Sequence, residues 1–103
     1  MLLTEDIVYL INQIHEIESK ANLRNADFLD RNINRMKHKF EELGYLIVNP
    51  IGEPFDETRT DLEVHISSEK LKGLTIKEVM KPIVFFKDSA GTIQLIQKGN
   101  AIA

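Results

Sequence analysis

Five carboxylates crowd one stretch of this 103-residue chain: Glu53, Asp56, Glu57, Asp61 and Glu63. Paired carboxylates serve general acid–base catalysis or hold a hard cation. No spacing among these five matches a calcium loop and no catalytic partner stands beside them, so they read as a solvated loop. His15, His38 and His65 lack the i, i+4 pairing of a helical metal site and are expected at the surface. His15 follows Ile14 and borders an apolar seam, where titration would be linked to assembly. Arg31, Arg35, Lys37, His38 and Lys39 suit phosphate or an acidic protein surface, although a solvated helix face is the simpler reading. Gly91 and Gly99 have no phosphate-loop context. No catalytic residue, metal ligand or cofactor is therefore expected. Arg59 has a different chemistry to offer, because its planar guanidinium makes bidentate bonds to a partner's carboxylate or, internally, to Asp56 or Asp61.

Two helices must position the first half of these residues. Leu3, Ile7, Leu10, Ile14 and Ile17 are spaced 4, 3, 4, 3, which keeps one apolar seam on a helix, and Val8 and Ile11 widen it. Thr4 as N-cap with Glu5 and Asp6 in the first turn predicts a helix over 4–20. Residues 21–25 read as a short connection, with Asn25 placed to cap the second helix. That helix repeats the ladder at Leu29, Ile33, Met36, Phe40 and Leu43 and should end at Gly44 in a left-handed cap. Two helices joined this way form an antiparallel hairpin that shields its seam poorly, so a second copy completing a four-helix bundle is expected. Ile7, Leu10, Ile14, Ile17, Leu29, Ile33, Met36 and Phe40 are the predicted dimerisation residues. Packing of the helices on the chain's own sheet is the alternative.

After Gly44 the period changes. Residues 45–48 are a short strand, stopped by an ordered turn that holds Pro50, Gly52 and Pro54. Leu62, Val64 and Ile66 alternate with polar residues, as in a strand with one wet face. Residues 69–73 read as a turn and 74–80 as a strand with a bulge or an end at Val79-Met80. Residues 83–86 and 92–97 flank a hairpin loop in which Gly91 takes the left-handed position, and 98–103 reads as a final edge. Phe85 and Phe86 should point to opposite faces, one of them outward. The fold class is α+β with segregated parts: a helical hairpin over 1–44 and a small, mostly antiparallel β head over 45–103.

Bulk composition narrows the classes. Hydrophobic residues make up 43%, charged residues 28%, and the net charge is −3, so neither nucleic acid nor a membrane surface is favoured as partner. Cysteine is absent, which removes disulfides and thiolate chemistry and agrees with a cytoplasmic setting. No segment approaches the roughly 20 apolar residues of a membrane span, and no secretory leader is evident.

The junction Phe40-Glu-Glu-Leu-Gly44-Tyr-Leu-Ile-Val48 and the element Gly52-Glu-Pro54-Phe-Asp56 resemble the C-terminal region of GrpE, the nucleotide exchange factor of the chaperone DnaK. The likeness covers most of the chain by layout and about twenty residues by motif. The family's Asp-Pro and His-Glu-Ala step reads Asp56-Glu-Thr-Arg-Thr60-Asp-Leu-Glu-Val64 here, and the family's long N-terminal coiled coil has no counterpart in these residues. The resemblance implies a dimeric helix bundle carrying a β head that binds a DnaK-type ATPase domain and promotes ADP release. Gly44, Pro54, Phe55, Asp56 and Arg59 are then the predicted partner-binding residues. A structural or interaction dimer without exchange activity is the alternative, and a small hydrolase or metal-dependent enzyme is the reading from another class.

Overall fold

The computed structural model describes residues 4–67 and 73–103. Helix α1 spans Thr4–Leu23 and α2 spans Asp30–Glu42, entered through a 3-10 turn at Asp27–Leu29. Among the described residues six strands follow: β1 (Tyr45–Val48), β2 (Leu62–His65), β3 (Glu78–Lys81), β4 (Ile83–Lys87), β5 (Ile93–Gln97) and β6 (Gly99–Ile102). They form two three-stranded sheets, β1-β4-β5 and β2-β6-β3, antiparallel except for the β2–β6 pair. The chain is α+β. No helix among the described residues is long and apolar enough to cross a membrane.

Packing explains where the helices depart from expectation. α1 continues past Lys20 because Ala21 is buried against Ile14 and Ile33, where the two helices meet. Asn25 does not cap α2. It takes φ 53° and stops α1, while the Ala26 N–H donates to the Ala21 carbonyl at 2.9 Å, a left-handed ending that asparagine tolerates. No side-chain cap bonds the start of α2.

Strand β4 carries the architecture. Ile83 and Val84 are both fully buried although they are neighbours, because successive side chains of a strand leave on opposite faces. Ile83 joins Leu62, Ile76, Val79 and Ala101 in the core of the second sheet. Val84 joins Ile7, Ile11 and Tyr45 beneath the helices. The first sheet thus meets the helices with one face and the second sheet with the other, while the C-terminal half of α1 also reaches β3 of the second sheet. Phe85 and Phe86 follow the same rule and are half-buried in the two different cores, so neither is the outward aromatic that the sequence suggested.

Two further corrections concern the strands. Residues 98–103 do not add an edge: β6 is the middle strand of its sheet, parallel to β2 and antiparallel to β3. Its small residues make this possible, since a Cβ on Gly99 would lie 2.8 Å from Leu62 Cδ1 and 2.9 Å from Ile83 Cγ1. Residues 74–76 pair with the turn after β1 rather than extending β3: the Gly52 N–H donates to the Ile76 carbonyl and the Phe55 N–H to the Leu74 carbonyl, each at 2.8 Å. The expected bulge does fall in β3, where register shifts between Val79 and Lys81. Apart from Gly73, the turn predicted over 69–73 lies outside the described residues.

Candidate protein-docking head

Gly44 joins helix to sheet through its backbone. Its N–H donates to the Glu41 carbonyl at 2.9 Å and its carbonyl accepts the Lys87 N–H at 2.8 Å, so one residue ends α2 and starts the β1–β4 ladder. It holds φ +99°, and an added Cβ would lie 2.8 Å from the Lys87 carbonyl oxygen. The residue is an architectural joint. No side chain is available there for a partner.

The turn after β1 is built from within. Asn49 Oδ1 accepts the Ile51 N–H at 3.1 Å, the Glu53 N–H donates to the Pro50 carbonyl, and Pro54 bridges Thr75. Phe55 is half-buried against the core of the second sheet, while Pro54 is exposed. Asp56 Oδ1 accepts both the Thr58 hydroxyl at 2.6 Å and the Thr58 N–H at 2.9 Å, which hold its carboxyl below the usual range. The Arg59 fork is closed on the chain itself: Nε and Nη2 meet the two Asp61 oxygens at 2.9 and 3.1 Å, and Nη1 meets Glu53 at 3.0 Å. Of the two pairings expected, with Asp56 or Asp61, the one with Asp61 forms, and Glu53 adds another that the sequence did not point to. Glu53 and Asp61 therefore brace a loop, and no group of three or more metal-ligating side chains occurs among the described residues.

These bonds have a pH signature. The Arg59 hydrogen bonds hold the Asp61 carboxyl below its usual value, against the opposing effect of partial burial, and Asp61 in turn raises Arg59. A depressed carboxylate contributes its stability above the unfolded value and loses it as pH falls through the folded value, so the loop should loosen below about pH 4. The Thr58 and Arg59 backbone amide resonances should shift there before the β4 resonances do; simultaneous loss would mean the brace is not a separate element. Because the side chains are partly solvated, Arg59→Ala should cost only about 1 kcal/mol in urea unfolding.

An apolar face that the sequence reading did not single out lies on the first sheet. Register places Leu46 opposite Phe85 and Phe85 opposite Leu95, with Val48 opposite Ile83 and Ile93 opposite Lys87, so these side chains share the face turned away from the helices. Leu46, Val48, Ile93 and Leu95 remain exposed at its margins. The signal was the alternation Leu46/Val48 and Ile93/Leu95, which identifies a face but not which core covers it. On the other face a bulge opposite Val84 lets Ile96 pack under the helices while Gln97 exchanges two hydrogen bonds with Asn12 of α1, at 2.9 and 3.0 Å.

The predicted dimer residues divide. Ile7, Ile14 and Ile33 are buried within the chain, and Leu29 and Phe40 are half-buried. Leu10, Ile17 and Met36 are 41%, 44% and 38% exposed, as is Leu43 at 54%. The Lys37–Glu18 pair, at 2.9 Å, and the contacts of Asn12 and His15 with the strands mark the sheet-facing side of the helices. By the 3.6-residue period, Leu10, Ile17, Met36 and Leu43 fall on the outward side.

His15 is not a surface residue. It is 7% exposed, with Nε2 2.6 Å from the Val79 carbonyl oxygen. His38 and His65 are exposed, and His38 lies beside Glu41 and Glu42. Lys37 and Lys39 also meet carboxylates, Glu18 and Glu42, so the basic row of α2 is paired toward its C-terminal end. Comparison with known proteins finds no matching family model, no similar curated protein and no similar solved structure.

Proposed function

We propose that this chain is a homodimeric, non-enzymatic, GrpE-like exchange factor. Its helices form an antiparallel hairpin that pairs with a second copy, and its head docks on the ATPase domain of a DnaK-type chaperone and promotes ADP release. The observation that carries the reading is a pair of apolar surfaces on opposite sides of the first sheet: Leu10, Ile17, Met36 and Leu43 on the helices, and Leu46, Val48, Ile93 and Leu95 on the head. Exposed apolar groups gathered on one face mark interaction sites. The helical set suits a twofold bundle seam, with Ile14 and Ile33 joining the two helices and Ile7 and Ile11 holding them to the sheet. The head set, flanked by the Gly52–Asp56 element, suits a protein partner. Lack of cysteine fits a cytoplasmic setting.

Arg59 supports the head indirectly by keeping the loop in shape, since its donors already meet Asp61 and Glu53. The test is release of fluorescent ADP from a cognate DnaK-type ATPase domain at saturating protein. Acceleration of roughly tenfold or more is expected, within the usual range of coupling between two ligands. Absence of both binding and acceleration would remove the proposal, and binding without acceleration would leave an interaction dimer.

A further inference from the structure

Strand β5 is an outer strand of the first sheet, and among the described residues none of its backbone groups bonds beyond the β4 ladder. The other outer strands are guarded. β3 carries a bulge and is shielded by α1, with His15 on the Val79 carbonyl; β2 presents Glu63 and His65; β1 packs against Phe40 of α2 and stops at Pro50. β5 has no such device, and the chain carries no charge from Ser89 to Gln97. We infer that this edge pairs with itself: the β5 strands of two copies of the chain join antiparallel about a twofold axis at Gln94.

The hairpin fixes which backbone groups face the open side. The Asp88 N–H donates to the Thr92 carbonyl at 3.0 Å, so Thr92 and, by alternation, Gln94 turn their backbone groups toward β4, while Ile93 and Leu95 turn theirs outward. A row of unpaired donors and acceptors at strand spacing is a template for another strand. An antiparallel copy centred on Gln94 sets Ile93 of each chain opposite Leu95 of the other, and each such pair exchanges both of its hydrogen bonds.

The strand is complementary to its own copy in three respects. Ile93 and Leu95, 56% and 37% exposed, share one face and cover each other across the junction. On the other face Gln94 meets Gln94 of the second copy, and a carboxamide that both donates and accepts is its own partner. At the start of the strand stands Asp88, whose Oδ1 accepts the Ala90 and Thr92 N–H groups at 2.9 Å; at its end stands the exposed Lys98. Antiparallel pairing brings these opposite charges together at both ends. The axis is perpendicular to the first sheet, so both helical hairpins lie on the same side with their outward faces uncovered. The pairing is therefore distinct from the helical seam and does not rest on the exchange reading. Two short strands make a transient interface, formed in concentrated solution and open in dilute solution.

Amide hydrogen exchange of the full chain, followed by NMR at increasing concentration, tests this. From about 0.05 to about 1 mM, exchange at Ile93 and Leu95 should slow by at least about fivefold, while Gln94, already bonded to β4, should hardly change. Gln94→Lys and Gln94→Glu each set like charges opposite one another and should abolish the slowing. An equimolar mixture of the two variants should restore it, because lysine then faces glutamate, an outcome that a merely misfolded variant does not give. ADP release should be unchanged in either variant, which separates this pairing from the exchange proposal. Exchange at Ile93 and Leu95 that is independent of concentration, or a mixture no more protected than either variant alone, would overturn the inference. So would protection of these two amides only when the ATPase domain is added, which would assign the edge to a different chain.

Discussion

Gly44→Ala is expected to remove about 2–6 kcal/mol of stability, the sum of backbone strain of about 1–3 kcal/mol and overpacking of about 1–3 kcal/mol. Strain arises because φ is +99°, where a side chain is rarely accommodated. Overpacking arises because the new Cβ would lie 2.8 Å from a carbonyl oxygen of β4 and 3.0 Å from the Phe86 ring. Backbone on one side and a core aromatic on the other cannot both give way. Against a total of about 5–15 kcal/mol for an ordinary domain, the loss is large. Gly52→Ala is the matched control, with φ +81° and nothing within 4 Å of the added atom. It should cost the strain alone. Urea unfolding of both variants measures the difference, and equal losses would show that the close approach to β4 contributes nothing.

The second large effect concerns the helices. Ile17→Asp combined with Met36→Asp should reduce the mass seen by light scattering from about twice 11.8 kDa to 11.8 kDa, with helix content retained. Both side chains lie on the outward side and are 44% and 38% exposed in the single chain, so a carboxylate there stays hydrated in a monomer. In a paired seam the same carboxylates are buried without partners, at several kcal/mol each. Ile14→Asp is the contrasting change, because Ile14 packs on Ala21 and Ile33 within the chain, and it should unfold the helices at any concentration. A parent chain that scatters as a stable monomer would end the bundle proposal.

Much of the order of elements was legible because local physics decides it. The two helices, the left-handed cap at Gly44, the strand at 45–48, the alternation over Leu62–His65 and the hairpin around Gly91 appear where period and turn chemistry place them, whereas Ile66, read as the next inward residue, lies beyond β2 and is exposed. Three features were not legible. Gly99, Ala101 and Ala103 are small because they are tightly enclosed, yet small residues give a weak hydrophobic signal, so β6 read as an edge. Burial of His15 depends on how α1 is turned over β3, which the period of α1 alone does not reveal. The partner of Arg59 was open between Asp56 and Asp61 until the Thr58 turn engaged Asp56.

The place of β6 also sets an order of events in time. α1 with α2, and β4 with β5, join near neighbours in the chain, whereas β2 must wait for a strand made roughly 37 residues later. Contacts of long sequence separation form slowly, since the intervening loop must close before any ladder bond rewards it. On the ribosome β2 and β3 therefore emerge as unpaired ribbons, open to wrong partners, and the arrival of Gly99–Ile102 is the step that closes the second sheet and ends that exposure.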